Sequence, residues 1–127
     1  MYSRALHTTS APAAVGPYSQ AIAVSDVRQM VFCSGQIPLG PDGALIQDVA
    51  QATRACMKQL NAVLGASGLS LRHVVRCTIY LVDMKDFAKV NEAYAEFFEG
   101  TPPARACVEV RALPKGAAVE IDAIAAA

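Results

Sequence analysis

"HVVRCTIYLVDMKDFAKVNEAYAEFFEGTPPARACVEV", residues 73–110, changes its apolar period twice. Over 73–83 the side chains alternate. Val75, Cys77, Ile79 and Leu81 make one wholly apolar face, and Val74, Arg76, Thr78, Tyr80 and Val82 make a half-polar one. A period of two is that of a strand. Asp83 or Asp86 then offers an N-cap, and Phe87, Val90, Tyr94 and Phe97 recur at the three- and four-residue steps of a helix with one apolar stripe. Gly100 suits a position just past a helix, and Pro102 and Pro103 forbid its continuation. From Ala104 the period returns to two. Ala104, Ala106, Val108 and Val110 read as a core face; Arg105, Cys107, Glu109 and Arg111 fall opposite.

The flanks extend this pattern. "QAIAVS" (20–25) and "MVFCSGQI" (30–37) read as two strands of a hairpin, with "DVRQ" between them. The Gly- and Pro-rich "IPLGPDGALI" (37–46) reads as a loop. Asp48 and Gln51 resemble a capping box, and Val49, Ala52, Cys56, Leu60 and Val63 continue at helical spacing to Gly65 or Ser67. After the turn "LPKGAA" (113–118), "VEIDAIA" (119–125) is a last strand that pairs with 104–111 as a hairpin. No repeat or linker divides the chain, so residues 1–127 form one domain. The expected fold is α+β: a sheet of about six strands with both helices on one face, since two helices cannot cover both.

Composition narrows the function. Hydrophobic residues make up 54% of the chain and charged residues 17%, which is apolar for a small soluble monomer. The uncovered sheet face, with Val74, Val82 and Ile124, is too apolar for open water, and burial in an oligomer accounts for both features. The 11 basic and 11 acidic residues cancel without a basic run, which argues against a nucleic-acid partner. No stretch approaches the roughly 18–20 apolar residues of a membrane span. The N-terminal "MYSRALHTTSAPAAVG" lacks the apolar run of a signal peptide, so the expected location is the cytoplasm. There the cysteines at 33, 56, 77 and 107 are reduced thiols. They show no C-x-x-C pairing and the only histidines are His7 and His73, so no metal site is expected.

Spacing alone leaves two readings of the last strands. If the Arg105 and Glu120 faces coincide across a hairpin, then Arg105, Glu109, Arg111, Glu120 and Asp122 form either an exposed ladder of ion pairs or one wall of a site. In a site enclosed by a partner subunit, an arginine binds a carboxylate through two parallel hydrogen bonds and a nearby carboxylate deprotonates a water. Tyr18 in "GPYSQ", Gly35 in "CSGQIP" and Asn91 in mid-helix each have a structural and a ligand-lining reading. Cys107 has no histidine related to it in sequence, which leaves little support for a nucleophilic role.

"APAAVGPYSQA" (11–21), "SGQIP" (34–38), "DFAKVNEAY" (86–94), "PARACVEV" (103–110) and "LPKGAAVEIDAIA" (113–125) resemble the RidA family, also called YjgF, from about Arg4 to the end of the chain. The resemblance implies a six-stranded mixed sheet with two helices packed on one face, similar to chorismate mutase of the small trimeric type, and a homotrimer with a cleft between each pair of subunits. It implies hydrolysis of 2-imino acids (2-iminobutanoate and 2-iminopropanoate, released by pyridoxal-phosphate enzymes) to 2-oxo acids and ammonia. It implies that Arg105 holds the substrate carboxylate, that Glu120 activates water, and that Tyr18, Asn91 and the backbone at Gly35 and Cys107 line the cleft. No cofactor and no metal are implied. Some similar proteins have been labelled endoribonucleases, against which the neutral charge argues here. Two alternatives remain: a related deaminase acting on another imine or enamine such as 2-aminomuconate, or a non-catalytic trimer that binds small carboxylates or acts as a chaperone. A binder needs Arg105 but has no use for a water-activating Glu120.

Overall fold

The structure, a computed structural model, describes residues 1–127. Its elements are β1 (Tyr2–Leu6), β2 (Ala21–Ser25), β3 (Met30–Gln36), α1 (Val49–Gly65), β4 (Val74–Leu81), α2 (Phe87–Ala95), β5 (Ala104–Glu109) and β6 (Val119–Ala126). Single 3₁₀ turns precede β4, α2 and β6. No helix is long and apolar enough to cross a membrane.

The expected single six-stranded sheet is not formed: β1 and β2 pair only with each other, so the six strands divide into two sheets. Four make the main sheet in the order β3-β6-β4-β5, and β1 pairs with β2 in a separate antiparallel ribbon. The expected hairpin of 20–25 with 30–37 is not formed: β3 pairs instead with β6. Arg28 and Gln29 donate backbone N–H groups to the carbonyl of Ala127, which ties the start of β3 to the C-terminal strand. All five residues of β1 are exposed, so its pairing rests on backbone hydrogen bonds and left no apolar pattern to read.

β4 is the pivot of the main sheet. It runs antiparallel to β6 and parallel to β5. A parallel neighbour requires a crossover, which α2 supplies. The expected hairpin of β5 with β6 is therefore absent, because β4 lies between them. The chain crosses the end of β4 after β5, with Val110 N–H donating to Leu81 O and Val82 N–H to Ala118 O. The best alternating apolar strands, β4 and β6, take the central places, where both edges are hydrogen-bonded.

Both helices cover one face. Asp48 accepts a 3.0 Å bond from Gln51 N–H at the start of α1, as its spacing predicts. Ala52, Cys56, Met57, Leu60 and Leu64 of α1 and Val90 and Tyr94 of α2 pack on Cys77, Ile79, Leu81, Val119, Ile121 and Ala123. A register shift between Val74 and Arg76 turns Val74 into this core, so Val74 belongs to the inner face and not to the outer one. The outer face leaves Phe32 70%, Val108 41% and Val82 36% exposed, a large apolar display for a chain of this size.

Candidate active site

The β4–β5 register decides where the arginine points. Cys77 pairs with Arg105, so Arg105 and Cys107 face the helices, while Ala104, Ala106 and Val108 face outward. This reverses the expected core face of β5. The alternation is correct, but small apolar residues do not reveal which side the helices occupy.

On α2, Phe87, Asn91 and Tyr94 stand at positions i, i+4 and i+7, one stripe aimed at Arg105. Arg105 Nη1 donates a 2.7 Å hydrogen bond to Asn91 Oδ1. The guanidinium carbon lies 5.2 Å from the Tyr94 ring centre, 5.3 Å from that of Tyr18 and 5.8 Å from that of Phe87. Each cation–π contact contributes roughly 0.5–2 kcal/mol, more as water is excluded. Ser19 secures the Tyr18 side of the box: its Oγ donates to Pro102 O at 2.6 Å and its N–H to Pro103 O at 3.1 Å. Tyr94 is fully buried, with its hydroxyl unpartnered beside the Cys77 thiol, and burial raises the pKa of both.

The chain's one ion pair joins Arg54 to Glu96, so Arg105 is a half-buried cation without an anion. Of the five donors on a guanidinium, Asn91 engages one. Such a group is suited to receive a carboxylate from outside the chain.

Glu120 lies elsewhere. It pairs with Tyr80 in the β4–β6 register, on the outer face of the sheet. Its carboxyl end lies across Gly35 of β3: a Cβ at Gly35 would sit 2.8 Å from Glu120 Cδ and 3.1 Å from Cγ. The missing side chain at Gly35 thus makes room for Glu120. The neighbouring Asp122 is occupied, accepting from Thr78 N–H and Tyr80 Oη–H, each at 3.0 Å.

The six sequence-predicted residues therefore divide into two groups. Arg105, Tyr18, Asn91 and Cys107 gather on the helix face; Glu120 and Gly35 gather on the other. The Arg105 and Glu120 faces do not coincide, which removes the ladder of ion pairs as a reading of these strands. Glu109 instead accepts from Met84 N–H at 2.8 Å. The Cys107 thiol is half-buried, and burial raises its pKa against the opposing pull of Arg105, so it is not an activated nucleophile. The largest surface hollow, about 550 Å³, lies on the β1–β2 side between Arg4 and Ala21 and includes neither Arg105 nor Glu120. Sequence reading treats Phe87 and Tyr94 only as core. The signal for their second role was a polar Asn91 set inside an apolar stripe.

Residues 8–127 match the profile of the endoribonuclease L-PSP family. The chain is 58% identical to Protein DfrA of Myxococcus xanthus, covering 98% of this chain and 96% of that one. It is 43% identical to the 2-iminobutanoate/2-iminopropanoate deaminase of Salmonella typhimurium, covering 97% of each. Among solved structures, Escherichia coli TdcF with bound serine superposes with a TM-score of 0.75 at 40% identity, covering 98% of each chain.

Proposed function

The chain belongs to the RidA/YjgF family, which the endoribonuclease L-PSP profile describes, and from that premise we propose that it hydrolyses 2-imino acids such as 2-iminobutanoate and 2-iminopropanoate to 2-oxo acids and ammonia. The reaction takes place in clefts between the subunits of a cytoplasmic homotrimer. The observation that carries this reading is the separation of Arg105 and Glu120. Each is free of a charged partner in its own chain, and they lie on opposite faces of one sheet. Two such groups meet on one small substrate only if two chains contribute them. The exposed Phe32, Val82 and Val108 on the Glu120 face give a second copy an apolar surface to bury.

In this mechanism Arg105 grips the substrate carboxylate and holds C2 of the protonated imine near a water on Glu120. Glu120 accepts a proton as the water oxygen bonds to C2, forming a carbinolamine. The carbinolamine nitrogen takes that proton back, Glu120 removes the hydroxyl proton as the C2–N bond breaks, and the departing ammonia carries this proton off as ammonium, leaving the 2-oxo acid and an ionised Glu120. A protonated imine is already electrophilic, so orientation and one base suffice.

The test is to generate imines from several amino acids enzymatically and follow their decay with and without the protein. No acceleration for any of them would reject the reading. In parallel, light scattering at micromolar concentration is expected to give a mass near three times the 13.4 kDa of the chain. A monomer would remove the shared cleft.

Gly35→Ala supplies a sharper check. The new methyl displaces the Glu120 carboxylate, and its free end swings aside at a cost of about 1 kcal/mol or less. Turnover is expected to fall roughly tenfold or more, because misplacing a catalytic group by about an ångström costs up to ~10²-fold. Thermal unfolding and imine decay measured on the same preparation decide it: full turnover in a stable variant would free Glu120 from that position.

A further inference from the structure

We propose that Asn91 is a positioning residue whose neutrality keeps Arg105 open to a ligand carboxylate. The inference rests on the reading of Arg105 as the carboxylate-binding group and adds what sets its orientation and preserves its charge. A half-buried guanidinium between three rings needs a hydrogen-bond acceptor to stop it rotating. Asn91 Oδ1 is that acceptor, 2.7 Å from Nη1. It turns one corner of the fork toward α2 and leaves the remaining donors unengaged.

The same geometry makes the residue sensitive to charge. Aspartate has nearly the shape of asparagine and would occupy the same place. At 91 it would present a carboxylate to Arg105 from within the chain, at an effective concentration that a dissolved ligand cannot match. The fork would be neutralised by its own wall. No acidic residue pairs with Arg105 in the native chain, although α2 carries Glu92 on the next position. Its side chain points away because successive helical positions do not share a face.

The consequence inverts the usual order of conservative substitution. Asn91→Asp is expected to damage ligand binding more than Asn91→Ala, while leaving the protein at least as stable, because it creates a part-buried ion pair. The probe is pyruvate, a 2-oxo acid of the product class, titrated calorimetrically into the full-length protein and both variants, with thermal unfolding recorded for each. Asn91→Asp is expected to weaken pyruvate binding by ~10-fold or more, since only the fraction of molecules with a free fork binds. Asn91→Ala is expected to weaken it by a few-fold, with the melting temperature equal to or below that of Asn91→Asp.

Pyruvate binding to Asn91→Asp as tight as to Asn91→Ala or the wild type would overturn the proposal, as would wild-type protein that does not bind pyruvate. The failure of the deaminase reading is distinct. Wild-type protein that binds pyruvate and loses it on Asn91→Asp, yet accelerates no imine decay, supports the role of Asn91 and rejects the activity. Imine decay that the wild type and Asn91→Asp accelerate equally does the reverse.

Discussion

Arg105→Ala is expected to lose both ligand binding and turnover while remaining folded. A charge-assisted, two-point bond to a carboxylate contributes on the order of 1.5–3 kcal/mol, which corresponds to roughly ten- to hundredfold in affinity. Turnover falls further, because an untethered imine is not held near the water on Glu120. Arg105→Lys keeps the charge but loses the planar fork, its stacking between Tyr18, Phe87 and Tyr94 and its bond to Asn91. It is expected to rescue only a small part of the binding. The fold tolerates either change, since Arg105 lies on an edge strand and has no ion pair to break. Calorimetric titration of a 2-oxo acid and imine decay on folded variants test this. Wild-type rates in Arg105→Ala would make "PARACVEV" an ordinary strand.

Glu120→Gln is the second large effect, and its signature differs. The amide keeps the size of the side chain and its place across Gly35 but removes the base. Carboxylate ligands are expected to bind nearly as well as to the wild type. Turnover is expected to drop by as much as the ~10²–10⁴-fold associated with losing a general base. The spontaneous hydrolysis of free imines sets the floor for the measured drop. Loss of binding together with turnover would instead assign Glu120 to holding the substrate.

The two variants also test the two-chain cleft when combined. In the proposed closed ring each cleft would take Arg105 from one subunit and Glu120 from the next. Co-expressing Arg105→Ala with Glu120→Gln chains in equal amounts therefore leaves about a quarter of the clefts with both residues intact. Activity near that level, from two variants that are each nearly inactive, is expected of a shared cleft. No recovery would return both residues to one chain, against the opposite faces they occupy here.

Local periodicity carried the elements. The helix of 49–65, its Asp48 cap, the strand of 74–81 and the short α2 were legible because an apolar stripe or alternation repeats along the chain and records which side is buried. The candidate site residues were named through an ordered set of motifs, on which the resemblance to the RidA family rested. Strand order was not legible. Pairing partners are chosen by long-range burial, so β4 inserted between β5 and β6, and β3 joined β6 rather than β2. For β5 the sequence determined the alternation, but alanines suit either side of a sheet; only the register with β4 decided that Arg105 faces the helices. Because Glu120 sits on the central strand with the opposite orientation, that one register separates the arginine from the carboxylate within a chain, since side chains on a pleated strand have only two directions to point.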